Sequence, residues 1–94
     1  MSSEKPQIEK QSDVKVLTDV QREHEIILYN DDVNTFDHVI KSLVALCGHT
    51  YEQAEQCAYI VHFSGKCIVK TGSLKKLEPI CAKLLDANLS AEIH

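Results

Sequence analysis

Glycine is scarce in this 94-residue chain: three occur, at positions 48, 65 and 72, and none belongs to a glycine-rich phosphate loop. Without such a backbone cradle, nucleotide binding by main-chain amides is not expected. Positive charge is scarce too. Ten Lys and Arg side chains stand against 14 Asp and Glu, for a formal net charge of -4, and Lys66, Lys70, Lys75, Lys76 and Lys83 are scattered among carboxylates. No nucleic-acid partner is therefore expected. No run approaches the roughly 18 apolar residues that a bilayer crossing requires, so no membrane association is expected. The opening Met1-Ser2-Ser3-Glu4-Lys5 also lacks the apolar stretch of a secretion signal, and the expected location is the cytoplasm. Paired cysteine motifs are missing as well. Cys47, Cys57, Cys67 and Cys81 form no C-x-x-C and lie in apolar patterns, so buried, reduced thiols are expected. Cys47, His49 and Cys57 match no standard zinc spacing, and neither a metal nor a cofactor is expected.

What is present is 44% apolar content beside 26% charged content, the balance of one soluble domain with a single core. Residues 1–23 are polar and mixed in charge, with Pro6 and only scattered aliphatics. They bury too little to offset their ordering entropy, so a flexible arm is expected there, with Val14, Val16, Leu17 and Val20 forming at most a short amphipathic turn against a partner. The folded domain is expected over 24–94. Ile26 to Tyr29 is an apolar run of the kind found in a central strand. Asn34 is the expected N-cap of a first helix, with Asp37 near its positive end and Phe36, Val39, Ile40, Leu43, Val44 and Cys47 at helical spacing before Gly48. Thr50 and Gln53 have capping-box form, and Ala54, Cys57, Ala58 and Val61 mark a second helix that stops near Phe63.

Lys66 to Thr71 follows as a strand, and Ser73 opens a third helical segment with Leu74, Leu77, Ile80, Cys81, Leu84 and Leu85. Pro79 conflicts with that helix, so the regular part is expected to begin close to Pro79 or to kink there. Leu89 to Ile93 alternates as a last strand. The order β-α-α-β-α-β implies an α+β sandwich, with three helices packed on a small antiparallel sheet.

Asn30, Asp31 and Asp32 follow at once on the first strand and fix three acceptor side chains at its exit. If Val61-His62 folds against this turn, two carboxylates, an amide and an imidazole surround one spot that suits a cationic amine. The plainer alternative is a solvated turn with a helix cap. An enzyme would use His62 as a general base oriented by Asp31 or Asp32. No metal cluster, oxyanion loop or activated cysteine accompanies the histidine in the sequence, so no enzymatic activity is expected.

Leu28-Tyr29-Asn30-Asp31-Asp32 and Val61-His62-Phe63-Ser64-Gly65-Lys66, with the helix between them, together resemble the ClpS family of adaptor proteins across about residues 25–93. The resemblance implies a fold similar to the C-terminal domain of the ribosomal stalk protein. It also implies a non-enzymatic adaptor that recognises N-degrons, proteins beginning with Leu, Phe, Tyr or Trp, and delivers them to a Clp ATPase of the ClpA or ClpC type and its protease. Asn30, Asp32 and His62, with Asp31 beside them, would hold the substrate's α-amino group. Asn34, Phe36, Val39, Ala58, Val61 and Leu89 would wall the pocket for its first side chain. A free α-amine, with a pKa of about 7.7 to 8, is mostly an ammonium with three donors at neutral pH and calls for three fixed acceptors.

The chain departs from the family pattern at Asn34, where threonine is common, at Thr35 for the usual proline, and at Phe36 and Ala58, where methionines are frequent. The resemblance implies an ATPase-docking surface that includes the aromatic after the histidine, Phe63, and charged positions on the third helix, where Ser73 to Pro79 matches poorly. The competing reading is a protein-interaction domain of stalk-like fold without N-terminus recognition, which would not need Asn30, Asp32 and His62 to converge.

Overall fold

Ile26 and Leu28 lie two residues apart on one strand and are 0% and 1% exposed, so one face of that strand is sealed. In the computed structural model, which describes residues 22–94, this strand, β1 (His24–Tyr29), is the middle of a three-stranded antiparallel sheet. β2 (Lys66–Gly72) and β3 (Ser90–Ile93) flank it in the order β2-β1-β3. Three helices, α1 (Phe36–Cys47), α2 (Tyr51–Ser64) and α3 (Leu74–Asp86), complete the order β-α-α-β-α-β. Ile26, Leu28, Leu43, Leu77 and Leu84 are fully buried, and each contributes about 1.5–3 kcal/mol through removal of its side chain from water. The arm expected over residues 1–23 lies outside the described residues except for Arg22 and Glu23.

The register of β1 on β2 slips between Ile26, opposite Lys70, and Ile27, opposite Ile68, which leaves Val69 as an inserted residue. Side chains anchor this bulge to the end of α1. Nε2–H of His49 donates to the Val69 carbonyl (2.7 Å), and the Lys70 ammonium donates to the Cys47 carbonyl (3.1 Å), one of the carbonyls that a helix end leaves without an internal partner. Gly48, at φ 71°, terminates α1 in the left-handed region. Thr50 and Gln53 form the reciprocal capping box of α2: the Gln53 amide N–H donates to Thr50 Oγ1 (3.1 Å), and the Thr50 N–H donates to Gln53 Oε1 (3.0 Å).

Three expectations are corrected. The N-cap of α1 is Thr35, whose Oγ1 accepts from the His38 N–H (3.1 Å), because the Asn34 side chain is already bonded elsewhere. Helix α3 begins at Leu74, capped by Ser73 as expected, and runs through Pro79, so of the two alternatives there the later start is the one overturned. Burial of Leu77, Cys81 and Leu84 holds the turns on both sides of the proline, while the bond it forfeits, to the Lys75 carbonyl, lies on an exposed face. The apolar stripes are also narrower than their spacing implied: Val44, Leu74 and Leu85 are 38%, 43% and 52% exposed. All four cysteines are free; Cys47 and Cys81 are buried, whereas Cys57 and Cys67 are only half-buried.

Candidate functional site

The exit of β1 is tied to the end of α2 by one backbone bond, from the Asn30 N–H to the Gly65 carbonyl (2.9 Å). Gly65 in turn closes α2, donating to the Val61 carbonyl (2.9 Å) at φ 95°. A Cβ there would meet nothing within 4 Å, so the backbone angle, not space, calls for glycine. This junction sets the strand-exit turn beside His62 in the last turn of α2.

Asp31 builds the turn itself. Its Oδ1 accepts from the N–H groups of Val33 and Asn34, each at 2.9 Å, and its Oδ2 accepts from Asn34 Nδ2 (2.8 Å). Partial burial pushes its pKa up, but the bonds from Asn34 and Val33, with His38 nearby, outweigh that effect and hold the carboxyl below its ordinary value. Asp31 is therefore ionised at neutral pH. Asn34 Nδ2 donates to the Asn88 carbonyl as well (2.8 Å), which joins the turn to the segment between α3 and β3. His38 ties the same segment to α1, its Nε2–H donating to the Ala87 carbonyl (2.8 Å). Asn88 sits at φ 70°, and the following Leu89 N–H returns to the Leu84 carbonyl (3.0 Å).

These ties enclose a cavity of about 260 Å³. Asn30, Asp31, Asp32 and His62 contribute its polar lining, with Asn30, Asp32 and His62 exposed. Phe36, Val39, Ala58, Val61 and Leu89 form its apolar wall, joined by Asn34; Ala58, Val61 and Leu89 are no more than 5% exposed. Leu28 and Tyr29 also contribute, which sequence reasoning did not assign to the wall. Neither did it find His38 and Asn88, which hold the walls in place. For Asn88 a signal existed, an asparagine just after a helical pattern, where the left-handed conformation is tolerated. Among the described residues, no lysine or arginine lines the cavity, so its two carboxylates face no fixed cationic partner there. The arrangement can take a small cation with an apolar body attached.

The family model of the ATP-dependent Clp protease adaptor protein ClpS matches residues 19–92. The chain belongs to the ClpS family. A ClpS adapter protein of Thermosynechococcus vestitus is 34% identical to it over 68 residues, 71% of this chain and 72% of that one. The structure of Agrobacterium tumefaciens ClpS2 bound to L-phenylalaninamide superposes with a TM-score of 0.73 at 17% identity, covering 77% of this chain and 94% of the other. The ClpS fold is thus shared between sequences that have diverged widely. ClpS proteins are adaptors of a protease, not proteases themselves, and the three-helix, three-strand sandwich is the scaffold on which this ClpS chain carries its cavity.

Proposed function

We propose that this ClpS chain binds the free α-amino group and the bulky hydrophobic first side chain of N-degron proteins, those beginning with Leu, Phe, Tyr or Trp. It delivers them to a Clp ATPase of the ClpA or ClpC type for degradation. One observation carries the reading: Asn30, Asp31, Asp32 and His62 line the same cavity as Phe36, Val39, Ala58, Val61 and Leu89, with no lysine or arginine among its lining residues.

An α-ammonium offers three donors, and the Asn30 amide oxygen, the Asp32 carboxylate and the His62 imidazole supply three acceptors. Asp31, with its oxygens engaged in the turn, acts by holding that turn and by its charge. Charge-assisted bonds contribute about 1.5–3 kcal/mol each, and burial of a leucine or phenylalanine side chain adds about 1.5–3 kcal/mol. The ligand of the Agrobacterium relative, L-phenylalaninamide, is a phenylalanine with a free amine, the same two-part chemistry. In this chain Phe36 adds bulk to one wall and Ala58 removes it from another, so the order of preference among first residues differs from that of methionine-walled relatives. Peptides identical except for a first Leu, Phe, Tyr, Trp or Ile test that part, and the usual family ranking would remove it.

Titration with a peptide bearing a free N-terminal leucine or phenylalanine, beside its acetylated twin, tests the main reading. Tight binding of the free form alone is expected. Equal affinity for both, or for neither, would overturn it.

A further inference from the structure

His62 differs from the other histidines in one respect. His24, His38, His49 and His94 each make a ring hydrogen bond, to the carbonyl of His94, Ala87 or Val69 or to the Tyr29 hydroxyl. The His62 ring makes none among the described residues; its recorded ring partners are aromatic side chains. Phe36 lies 5.2 Å from it, centroid to centroid, at 81°, and Phe63 lies 4.9 Å from it at 80°. Tyr59 then joins those two to each other, edge-on to Phe36 (5.0 Å, 86°) and stacked on Phe63 (6.3 Å, 6°). Four rings form a closed circuit: Phe36, Tyr59, Phe63, His62 and back to Phe36. All four separations fall in the range of favourable ring pairs.

The sequence explains the circuit. Tyr59 and Phe63 lie four residues apart on α2, which makes their side chains neighbours, His62 directly precedes Phe63 in the last turn, and Phe36 opens α1 across from them. Tyr59 and Phe63 are 48% and 76% exposed, and neither lines the cavity. Two large exposed rings serve no core there; Phe63 packs on His62 and Tyr59 on Phe36, the two rings of the circuit that do line the cavity.

We propose that Phe63 and Tyr59, together with Phe36, are positioning residues that fix the plane of the His62 imidazole for the substrate amine. The inference rests on the reading of His62 as an amine acceptor. A neutral imidazole accepts through a single nitrogen, in the plane of its ring, so the direction of that plane decides whether an N–H of the ammonium meets a lone pair. With both phenylalanine rings nearly perpendicular to it, rotation of the imidazole about its Cβ–Cγ bond breaks two edge-to-face contacts at once. An exposed histidine that is already held in this way loses less freedom on binding.

The test is a double-mutant cycle in the full chain, with a free-amine leucine peptide and no ATPase present. Phe63→Leu removes the ring but not the apolar bulk, and weakens binding by roughly twofold to tenfold, the fold-change that corresponds to one ring pair. In the His62→Ala background the same change leaves affinity unaltered, because nothing remains to position. Phe63→Tyr retains the ring and restores affinity, and Tyr59→Leu, remote from the cavity, gives a smaller loss in the same direction. In the free protein, NMR of the His62 ring protons reports ring-current shifts and contacts to both phenylalanines in the wild type, and averaged values in Phe63→Leu. Equal losses in both backgrounds, or no loss, with discrimination against the acetylated peptide retained, would overturn the positioning role and leave the amine site standing. A wild type that bound free and acetylated peptides alike would remove the amine site and this inference with it.

Discussion

Asp31 and Asp32 adjoin in the chain and differ in their surroundings. Asp31 spends its oxygens on the turn, and its pKa lies below the ordinary 3.8, since the bonds from Asn34 and Val33 outweigh the effect of burial. A carboxyl with a lowered folded value contributes stability that is complete above the unfolded pKa and is lost as pH falls through the folded one. Asp31→Asn should therefore unfold at lower urea concentration than wild type near pH 7, and the gap should close below about pH 3.8, which urea titrations across that range would register. Asp32, exposed at the rim, should show the converse. Asp32→Asn leaves the urea midpoint in place but weakens free-amine peptide binding by about 10- to 100-fold, measured by calorimetry.

Removing the His62 ring removes one of the proposed acceptors, and His62→Ala should weaken free-amine peptide binding by about 10- to 100-fold with the urea midpoint unchanged, measured by calorimetry and urea titration. The acceptor run after the first strand was plain in the sequence because its members are consecutive. The use of Asp31's oxygens within the turn was not, since it depends on where the Asn34 amide points.

Elements defined by local chemistry were legible. The Thr50–Gln53 box and the Gly48 and Gly65 stops involve residues within one turn of each other, so their spacing alone announces them. Elements decided by distant contacts were not. Thr35 takes the cap of α1 because Asn34 is drawn to Asn88, 54 residues away. Pro79 stands inside α3 because the core holds Leu77, Cys81 and Leu84, which no local rule conveys. Pro79→Ala returns the missing N–H to an exposed face and should stabilise the protein by about 1–3 kcal/mol, read as a higher urea midpoint with an unchanged slope.

At the scale of the molecule, one core among the described residues joins the sheet to all three helices, and three of the thiols in and against it are shifted toward their protonated form. Burial, reinforced by neighbouring Cys57 and Cys81, raises Cys47 to about 11 against the opposing pull of Lys70; burial and a bond with Cys57 raise Cys67 to about 12. Cys81 is shifted upward too, by burial and the nearby Glu92. At about pH 8 these three should resist iodoacetamide in the native protein and react at once in denaturant, as mass spectrometry of the alkylated chain would report.

The cavity draws its lining from Leu28 at one extreme and Leu89 at the other, with Asn34 and His38 fastening the late segment to the early one. During synthesis, therefore, the turn after β1 emerges first, and the cavity lacks part of its lining until Leu89 has been added and fastened. If the cavity takes the first residue of other polypeptides as proposed, that capacity is gained only when Leu89 is in place.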